Sequence, residues 1–178
     1  MRSPREERVE FHTVFDRNFR FVCVTLRRLG VRDSDVEDVA QEVFVLVHKK
    51  LDSYEPARSL QLWLFGFCLR AASDHRRLAR HRRLLHGQDP DTEIAHTDPL
   101  PDARIAAEQN RRLVLAALDD LDVDRRAIFV MHDLNEFSAP EIAEMLSIPV
   151  NTVYSRLRLA REDFRKAAVR LRAARGSR

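Results

Sequence analysis

The sequence predicts an all-α protein made of two small helical domains joined by a flexible acidic linker. Of its 178 residues, 44% are apolar, which is enough to bury hydrophobic cores. The chain has only four glycines, and its apolar residues recur at helical spacing. Residues 87–102 lack that periodicity and contain three prolines and five acidic residues. The domains are therefore predicted at residues 1–86 and 103–178.

Two amphipathic helices are predicted at the start of the first domain. In residues 10–29 apolar side chains recur every three or four positions, and Gly30 is well placed to end that helix. Ser34 and Glu37 have the spacing of a capping box, so the second helix is predicted to begin there and to run to about Leu51.

The second helix has an unusual outer face. At about 100° per residue, Asp38, Gln41, Glu42 and Val45 lie opposite the apolar side. A valine among acids and an amide, turned away from the core, indicates a contact surface for another molecule. A solvated face with one stray valine is the alternative interpretation.

A loop and a long basic helix follow. Residues 52–59 contain Pro56 and an aromatic candidate, Tyr54. The helix predicted from Leu60 to about Leu85 has Trp63 near its start and Leu78 on its inner face. The charged residues of its second half are Arg70, Asp74, Arg76, Arg77, Arg80, Arg82 and Arg83. Aromatic residues beside such cations suit a nucleic-acid strand, whereas core packing and a solvated face are the alternatives.

The second domain contains a helix-turn-helix pattern. Helices are predicted at 103–121 and 125–132, and Ser138 with Glu141 then forms a capping box. A turn at 147–149 leads into a second helix that is basic on its free face. A helix of this kind fits the major groove, although an ordinary helical hairpin would have the same pattern. The outward residues are Thr152, Tyr154, Ser155, Arg156, Arg158 and Arg161.

Charge is distributed unevenly along the chain, although the net charge is only +3. Residues 156–178 contain nine Arg or Lys and two acids, whereas residues 33–42 contain five acids and no base. This segregation indicates at least two different partner surfaces.

Several functional classes are disfavoured by what the sequence contains. Cys23 and Cys68 lack the spacing of a metal site or a disulfide framework, so they are predicted to be reduced and buried. His132-Asp133 lacks a second histidine at metal-ligand spacing, and no glycine-rich phosphate loop occurs, so no catalysis, metal or cofactor is expected. No apolar run approaches about 18 residues, which predicts a cytoplasmic protein without membrane insertion.

Short motifs in both domains, taken together, resemble the motifs of one protein family. Asp38, Gln41, Glu42 and Phe44 fit an Asp-x-x-Gln-Glu-x-Phe helix, and a Trp63-Leu64-Phe65 segment follows it. The second domain matches the same family through its own motifs, at Arg126, Glu141-Ile142-Ala143, Thr152-Val153, Ser155-Arg156-Leu157 and Ala160-Arg161. From about Phe11 to Leu171 the chain is similar to bacterial RNA polymerase sigma factors of the extracytoplasmic-function (ECF) group.

The resemblance implies two partners for the first domain. Core RNA polymerase would be bound through its β′ clamp helices by Asp38, Gln41, Glu42 and Val45. The −10 promoter element would be recognised and melted by the residues Tyr54, Trp63, Arg70, Asp74, Arg76, Arg77 and Arg80.

For the second domain the resemblance implies binding to the −35 element and to the polymerase β flap. The −35 residues would be Asn151, Thr152, Tyr154, Ser155, Arg156, Arg158 and Arg161. Among them Tyr154, Ser155 and Arg158 would contact base edges. Arg156 and Arg161 would contact phosphates or pack within the protein. Family members are often held inactive by an anti-sigma protein between the domains, so such a partner is expected. The rival interpretation is a helix-turn-helix regulator that acts without replacing the sigma subunit.

Overall fold

The computed structural model describes residues 10–86 and 102–176. Every regular element in them is helical, so the all-α prediction is confirmed. The predicted acidic linker, apart from Asp102, lies outside the described residues.

The first domain is a bundle of three helices, α1 (Phe11–Arg28), α2 (Val36–Lys50) and α3 (Leu60–His86). Short 3-10 turns at Asp33–Asp35 and Leu51–Ser53 flank α2. Each helix packs against the other two, and the apolar stripes predicted from the sequence meet in the centre. The fully buried side chains there include Val22, Leu26, Val36, Val43, Leu64 and Phe65.

Two details of the first domain differ from the sequence prediction. The predicted capping box at Ser34 and Glu37 is wrong. The Ser34 hydroxyl donates instead to Asp35 Oδ1 at 2.9 Å, and the chain makes a 3-10 turn before α2 begins. Leu78 is 52% exposed rather than inward. At 27 residues α3 is about 40 Å long and exceeds α1 by nine residues.

The second domain contains α4 (Asp102–Asp119), α5 (Val123–Phe129), α6 (Ala139–Leu146) and α7 (Val150–Gly176). A π-helical turn, Val130–Leu134, extends α5. Helix α7 packs against the other three helices. The predicted capping box is present at α6, and Ser147, at φ 53°, adopts the left-handed conformation that ends α6 and turns the chain into α7.

The two domains pack against each other along a surface that we call the seam. Buried apolar residues of both domains form one continuous cluster. Phe65 of α3 meets Phe137 edge-on, with 6.2 Å between ring centroids. Arg126 of α5 is 2% exposed, and its Nε donates to the carbonyl oxygen of Arg28 at 2.6 Å. Residues of α6 also line a cleft with the first turns of α3, and Glu144 of α6 is 3.1 Å from Arg58.

Candidate nucleic-acid and protein interfaces

The outer side of α2 presents the four residues predicted to contact another protein. Asp38, Gln41, Glu42 and Val45 are all exposed, and Val45 is 53% exposed. The opposite side of the helix is buried in the first domain, which fixes the direction of these four side chains. We call this surface the acidic α2 face. An exposed aliphatic group rimmed by carboxylates and an amide suits a protein partner with basic and apolar groups.

An aromatic group lies where the loop before α3 meets the first turns of α3. Tyr54 and Trp63 have ring centroids 5.2 Å apart, and Phe67 contacts Trp63 edge-on at 4.7 Å. The Tyr54 hydroxyl donates to the Arg58 carbonyl oxygen at 2.7 Å, which ties the loop in place. Tyr54 and Trp63 are half-buried, so each has one side packed and one side available to an unstacked base.

The charged residues of α3 divide between two surfaces. Arg70 and Asp74 line a cleft of about 830 Å³ together with Trp63, and the exposed Arg77 pairs with Asp74 at 3.3 Å. These residues and the aromatic group form what we call the −10 surface.

Arg76 and Arg80 line a different pocket, which also contains Arg126 at the seam. Arg76 is half-buried and its Nη1 has no hydrogen-bond partner among the described residues. Arg76 therefore lies at the seam, in the same pocket as Arg126 of the second domain, and not on the −10 surface.

One further residue of the −10 surface did not emerge from the sequence. Arg58 lies beside Trp63 on the cleft wall, and its guanidinium is 3.0 Å from Glu55 and 3.1 Å from Glu144 of α6. A single arginine in a loop has no periodicity to reveal it. The only signal available was its place between Tyr54 and Trp63.

The predicted reading face of α7 is open to solvent. Asn151, Tyr154, Ser155 and Arg158 are exposed, Tyr154 by 54%. Thr152 is half-buried, and its carbonyl accepts from the Ser155 hydroxyl at 3.0 Å. The opposite side of the helix is buried through Val153, Leu157 and Ala160. The geometry leaves amide, hydroxyl and guanidinium groups together on the free face, as major-groove readout requires.

Arg156 and Arg161 differ from the other residues of this face because each pairs with an acidic residue on another helical element of the domain. Arg156 is 3.3 Å from Asp124. Arg161 makes a two-pronged contact with Asp133, at 2.8 and 2.7 Å. The hydrogen bond from Arg161 holds the pKa of Asp133 below its usual range. These two arginines therefore fasten α7 to α5 and the π-helical turn.

Substituting Asp133 by Asn is expected to lower the free energy of unfolding by about 1 kcal/mol at neutral pH. The figure is modest because the Arg161 side chain is 48% exposed. A lowered folded-state pKa gives stability that is complete above the unfolded pKa and is lost as pH falls through the folded one. The difference from wild type should therefore shrink below about pH 4.

Urea unfolding at several pH values measures this effect. Asp124→Asn is the matched control, since it removes a longer and more exposed pair and should change stability less. Equal effects of the two variants at neutral pH would contradict the structural role assigned to Asp133.

The described residues hold no group of three or more metal-ligating side chains. Cys23 and Cys68 are free and buried, and burial raises the pKa of both thiols. Over the same residues, none of the helices combines the length and the apolar character needed to cross a bilayer.

Comparison with known families matches each domain separately. Residues 14–83 match sigma-70 region 2, and residues 111–164 match sigma-70 region 4. The first match contains the acidic α2 face and the −10 surface. The second contains α5, α6 and the reading face of α7.

Two relatives cover most of the chain. RNA polymerase sigma factor CnrH of Cupriavidus metallidurans is 33% identical over 141 residues, which are 76% of this chain and 74% of the relative. ECF RNA polymerase sigma factor SigW of Bacillus subtilis is 27% identical over 139 residues, 74% of each chain.

Solved structures agree with this similarity. CnrH in complex with the cytosolic domain of CnrY has a TM-score of 0.62 at 25% identity and covers 88% of this chain and 85% of that one. Sigma factor RpoE of Bartonella quintana, in complex with the anti-sigma factor NepR, shares the fold with a TM-score of 0.70 at 20% identity, over 88% and 95% of the two chains. The chain therefore belongs to the sigma-70 family of bacterial RNA polymerase sigma factors, in its extracytoplasmic-function group.

Proposed function

We propose that this protein binds core RNA polymerase in the cytoplasm and directs it to promoters of a stress or signal response, without chemistry of its own. The observation that carries the proposal is the presence, in one chain, of an exposed acidic α2 face and two separate surfaces suited to DNA. A helix-turn-helix regulator would need only the second domain. It would have no use for aromatic and cationic groups arranged to hold an unpaired strand.

The three surfaces have different roles in this proposal. The acidic α2 face docks on the β′ clamp helices, and the second domain reaches the β flap. The −10 surface holds the opened strand, with bases against Tyr54 and Trp63 and phosphates near Arg58 and Arg70. Helix α7 enters the major groove at the −35 element through Tyr154 and its exposed neighbours. An anti-sigma protein is the expected inhibitor, in line with the complexes of CnrH with CnrY and RpoE with NepR.

In vitro transcription with a promoter library tests the function directly. Core polymerase plus this protein should initiate at defined start sites, and sequencing the transcripts should reveal two conserved elements upstream. Polymerase alone provides the background. If the protein binds duplex DNA by itself and creates no start site, the alternative of an independent helix-turn-helix regulator is correct.

Substituting Arg158 by Ala is expected to weaken promoter binding by the polymerase complex by about 1–3 kcal/mol, and to do so for particular −35 sequences. Arg158 is 72% exposed, and its contact with Glu162 is long, at 3.9 Å. Its guanidinium is therefore available to a base edge. Competition binding on −35 variants measures the effect.

Arg165→Ala is the control, because this exposed arginine lies farther along α7, beyond the predicted reading residues. It should leave sequence preference unchanged. A loss that is uniform over all −35 sequences in the Arg158 variant would assign that residue to phosphate contact instead.

A further inference from the structure

The pocket that contains Arg76 is separate from the −10 surface and is lined by residues of α1, α3, α4 and α5. Its volume is about 630 Å³, within the range of about 300–1,000 Å³ that small-molecule sites have. No described residue lines both this pocket and the cleft at Trp63. We call it the cationic pocket, because its lining includes five arginines, Arg27, Arg32, Arg76, Arg80 and Arg126.

The cationic pocket has more positive than negative groups. Within the described chain its carboxylates are Asp33 and Asp119, and each already binds an arginine of the lining. Arg27 Nε donates to Asp33 Oδ1, and Arg126 Nη1 donates to Asp119 Oδ1 at 2.7 Å. The lining therefore has three more arginines than carboxylates, and an anion that enters the pocket meets a positive field.

Arg76 has a nitrogen that lacks an acceptor. The side chain is half-buried, and its Nη1 is shielded from solvent without a hydrogen-bond partner among the described residues. Buried polar groups of this kind are normally paired. Burial is the largest cause that lowers the pKa of Arg126, and the charge of Arg76 lowers it further. Two cations therefore lie close together, and a phosphate group would offer both the acceptor and the opposite charge.

His75 adds a second polar atom without a partner. Its Nε2 is 2.8 Å from Asp35 Oδ2, while its Nδ1 is buried and has no hydrogen-bond partner within the described part of the chain. When Nε2 donates to the carboxylate, Nδ1 of a neutral imidazole accepts. Since His75 lines the same pocket as Arg76, the pocket offers cations for acidic oxygens and one acceptor for a hydroxyl group.

A nucleoside diphosphate carries the groups that match this lining. Arginine forks hold phosphate oxygens in pairs, and Arg80 follows Arg76 by one turn of α3, so both reach the same side. Two linked phosphates balance the excess positive charge better than one does. A sugar hydroxyl would donate to His75 Nδ1. Ala79 and Leu115 are half-buried and give the pocket an apolar wall against which a base can pack.

We propose that the cationic pocket binds a nucleoside diphosphate, with its phosphates on Arg76 and Arg80 and its sugar against His75. The proposal gives these two arginines a partner other than the −10 strand. It does not depend on the proposed function, because binding is measured on the free chain without polymerase or promoter.

Isothermal titration calorimetry of the full chain tests the site. Inorganic pyrophosphate, ADP and GDP are titrated separately at one ionic strength, with EDTA present so that the phosphates carry no metal. Wild type should bind pyrophosphate at a single saturable site. The tighter of ADP and GDP should bind about threefold more strongly or better, as one further hydrogen bond predicts. Absence of pyrophosphate binding, or weaker binding of both nucleotides than of pyrophosphate, would overturn the proposal.

Arg76→Gln and Arg80→Gln should each weaken pyrophosphate binding by roughly tenfold or more, as loss of a hydrogen bond from a charged donor predicts. Arg77→Gln is the matched control: it removes the same charge at the next position of α3, where the exposed side chain pairs with Asp74. It should change the affinity by less than about twofold, since exposed charges outside the pocket are screened. An equal loss in all three variants would show diffuse attraction to α3 and would overturn the site.

Melting curves without ligand separate binding from a structural role of Arg76. Because its cation lies near Arg126, Arg76→Gln should leave the melting temperature unchanged or raise it, and pyrophosphate should raise the melting temperature of wild type only where it binds the folded chain. A lower melting temperature with undiminished pyrophosphate binding would assign Arg76 to structure and overturn the proposal. Arg80→Gln, at an exposed position, keeps the test valid if the Arg76 variant folds poorly.

Competition with DNA distinguishes the remaining partner of these cations. A single-stranded oligonucleotide without terminal phosphates should not displace pyrophosphate from the free chain, because its backbone lacks a diphosphate group. Displacement at equal phosphate concentration would assign Arg76 and Arg80 to a DNA strand, and the nucleotide site would fail. Neither result bears on start-site selection, so the proposed function is judged by transcription alone.

Discussion

Replacing Gln41 by Ala and Val45 by Asp in one chain is expected to abolish association with core RNA polymerase. Both side chains lie on the acidic α2 face and are exposed, Val45 by 53%. A carboxylate at position 45 would enter the interface without a partner, and loss of the apolar contact adds to that cost. Central interface residues of this kind contribute about 2 kcal/mol or more each, so binding should weaken by at least about a hundredfold.

The double variant should fold normally, because exposed substitutions change the free energy of unfolding by only about 0.5 kcal/mol. Val169→Asp is the matched control: it adds the same charge at a valine that is 62% exposed on α7. Biolayer interferometry on immobilised core polymerase gives the affinity, and circular dichroism gives the helicity. Polymerase binding by the double variant at the level of the control would remove the docking role of this face.

Local signals explain why so much of the fold was predictable. The period of Val36, Ala40, Val43 and Val47 fixes which side of α2 is buried, and these four residues are indeed inaccessible. The exposure of Val45 follows from the same period. The capping box at Ser138 depends on residues only three positions apart, so the beginning of α6 was readable as well.

The seam was not predictable, because its contacts join residues that are distant in sequence. Arg126 and Arg28 are 98 positions apart, and no periodicity within one helix indicates such a pair. Arg76 lines the same pocket as Arg126, which likewise joins residues that are distant in sequence. One signal was present: Arg126 precedes the buried run Ala127, Ile128 and Phe129, where an arginine needs a specific partner.

The failed cap at Ser34 has a different cause. Its spacing to Glu37 was correct, but the 3-10 turn Asp33–Asp35 takes up the residues that a cap would use. Asp35 donates its backbone N–H to the Arg32 carbonyl at 2.9 Å. The spacing of Ser34 and Glu37 alone therefore does not distinguish a capped helix start from a 3-10 turn.

Replacing Trp63 by Ala is expected to reduce transcription from duplex promoters by roughly 5- to 150-fold, the equivalent of one lost base–aromatic stack of 1–3 kcal/mol. Trp63 has a packed side against Phe67 and Tyr54 and a side that faces the cleft. The substitution therefore also removes packing, and melting curves must show that the variant is folded at the assay temperature.

The form of the template separates the two roles of Trp63. If its ring captures a base that has left the duplex, a template already unpaired at the −10 element no longer depends on that capture for opening. At saturating polymerase and protein the loss should therefore shrink to about threefold or less. Trp63→Phe keeps an aromatic face and should retain most activity on both templates. An equal loss on paired and unpaired templates would assign Trp63 to packing alone, because a destabilised first domain impairs every step that depends on it.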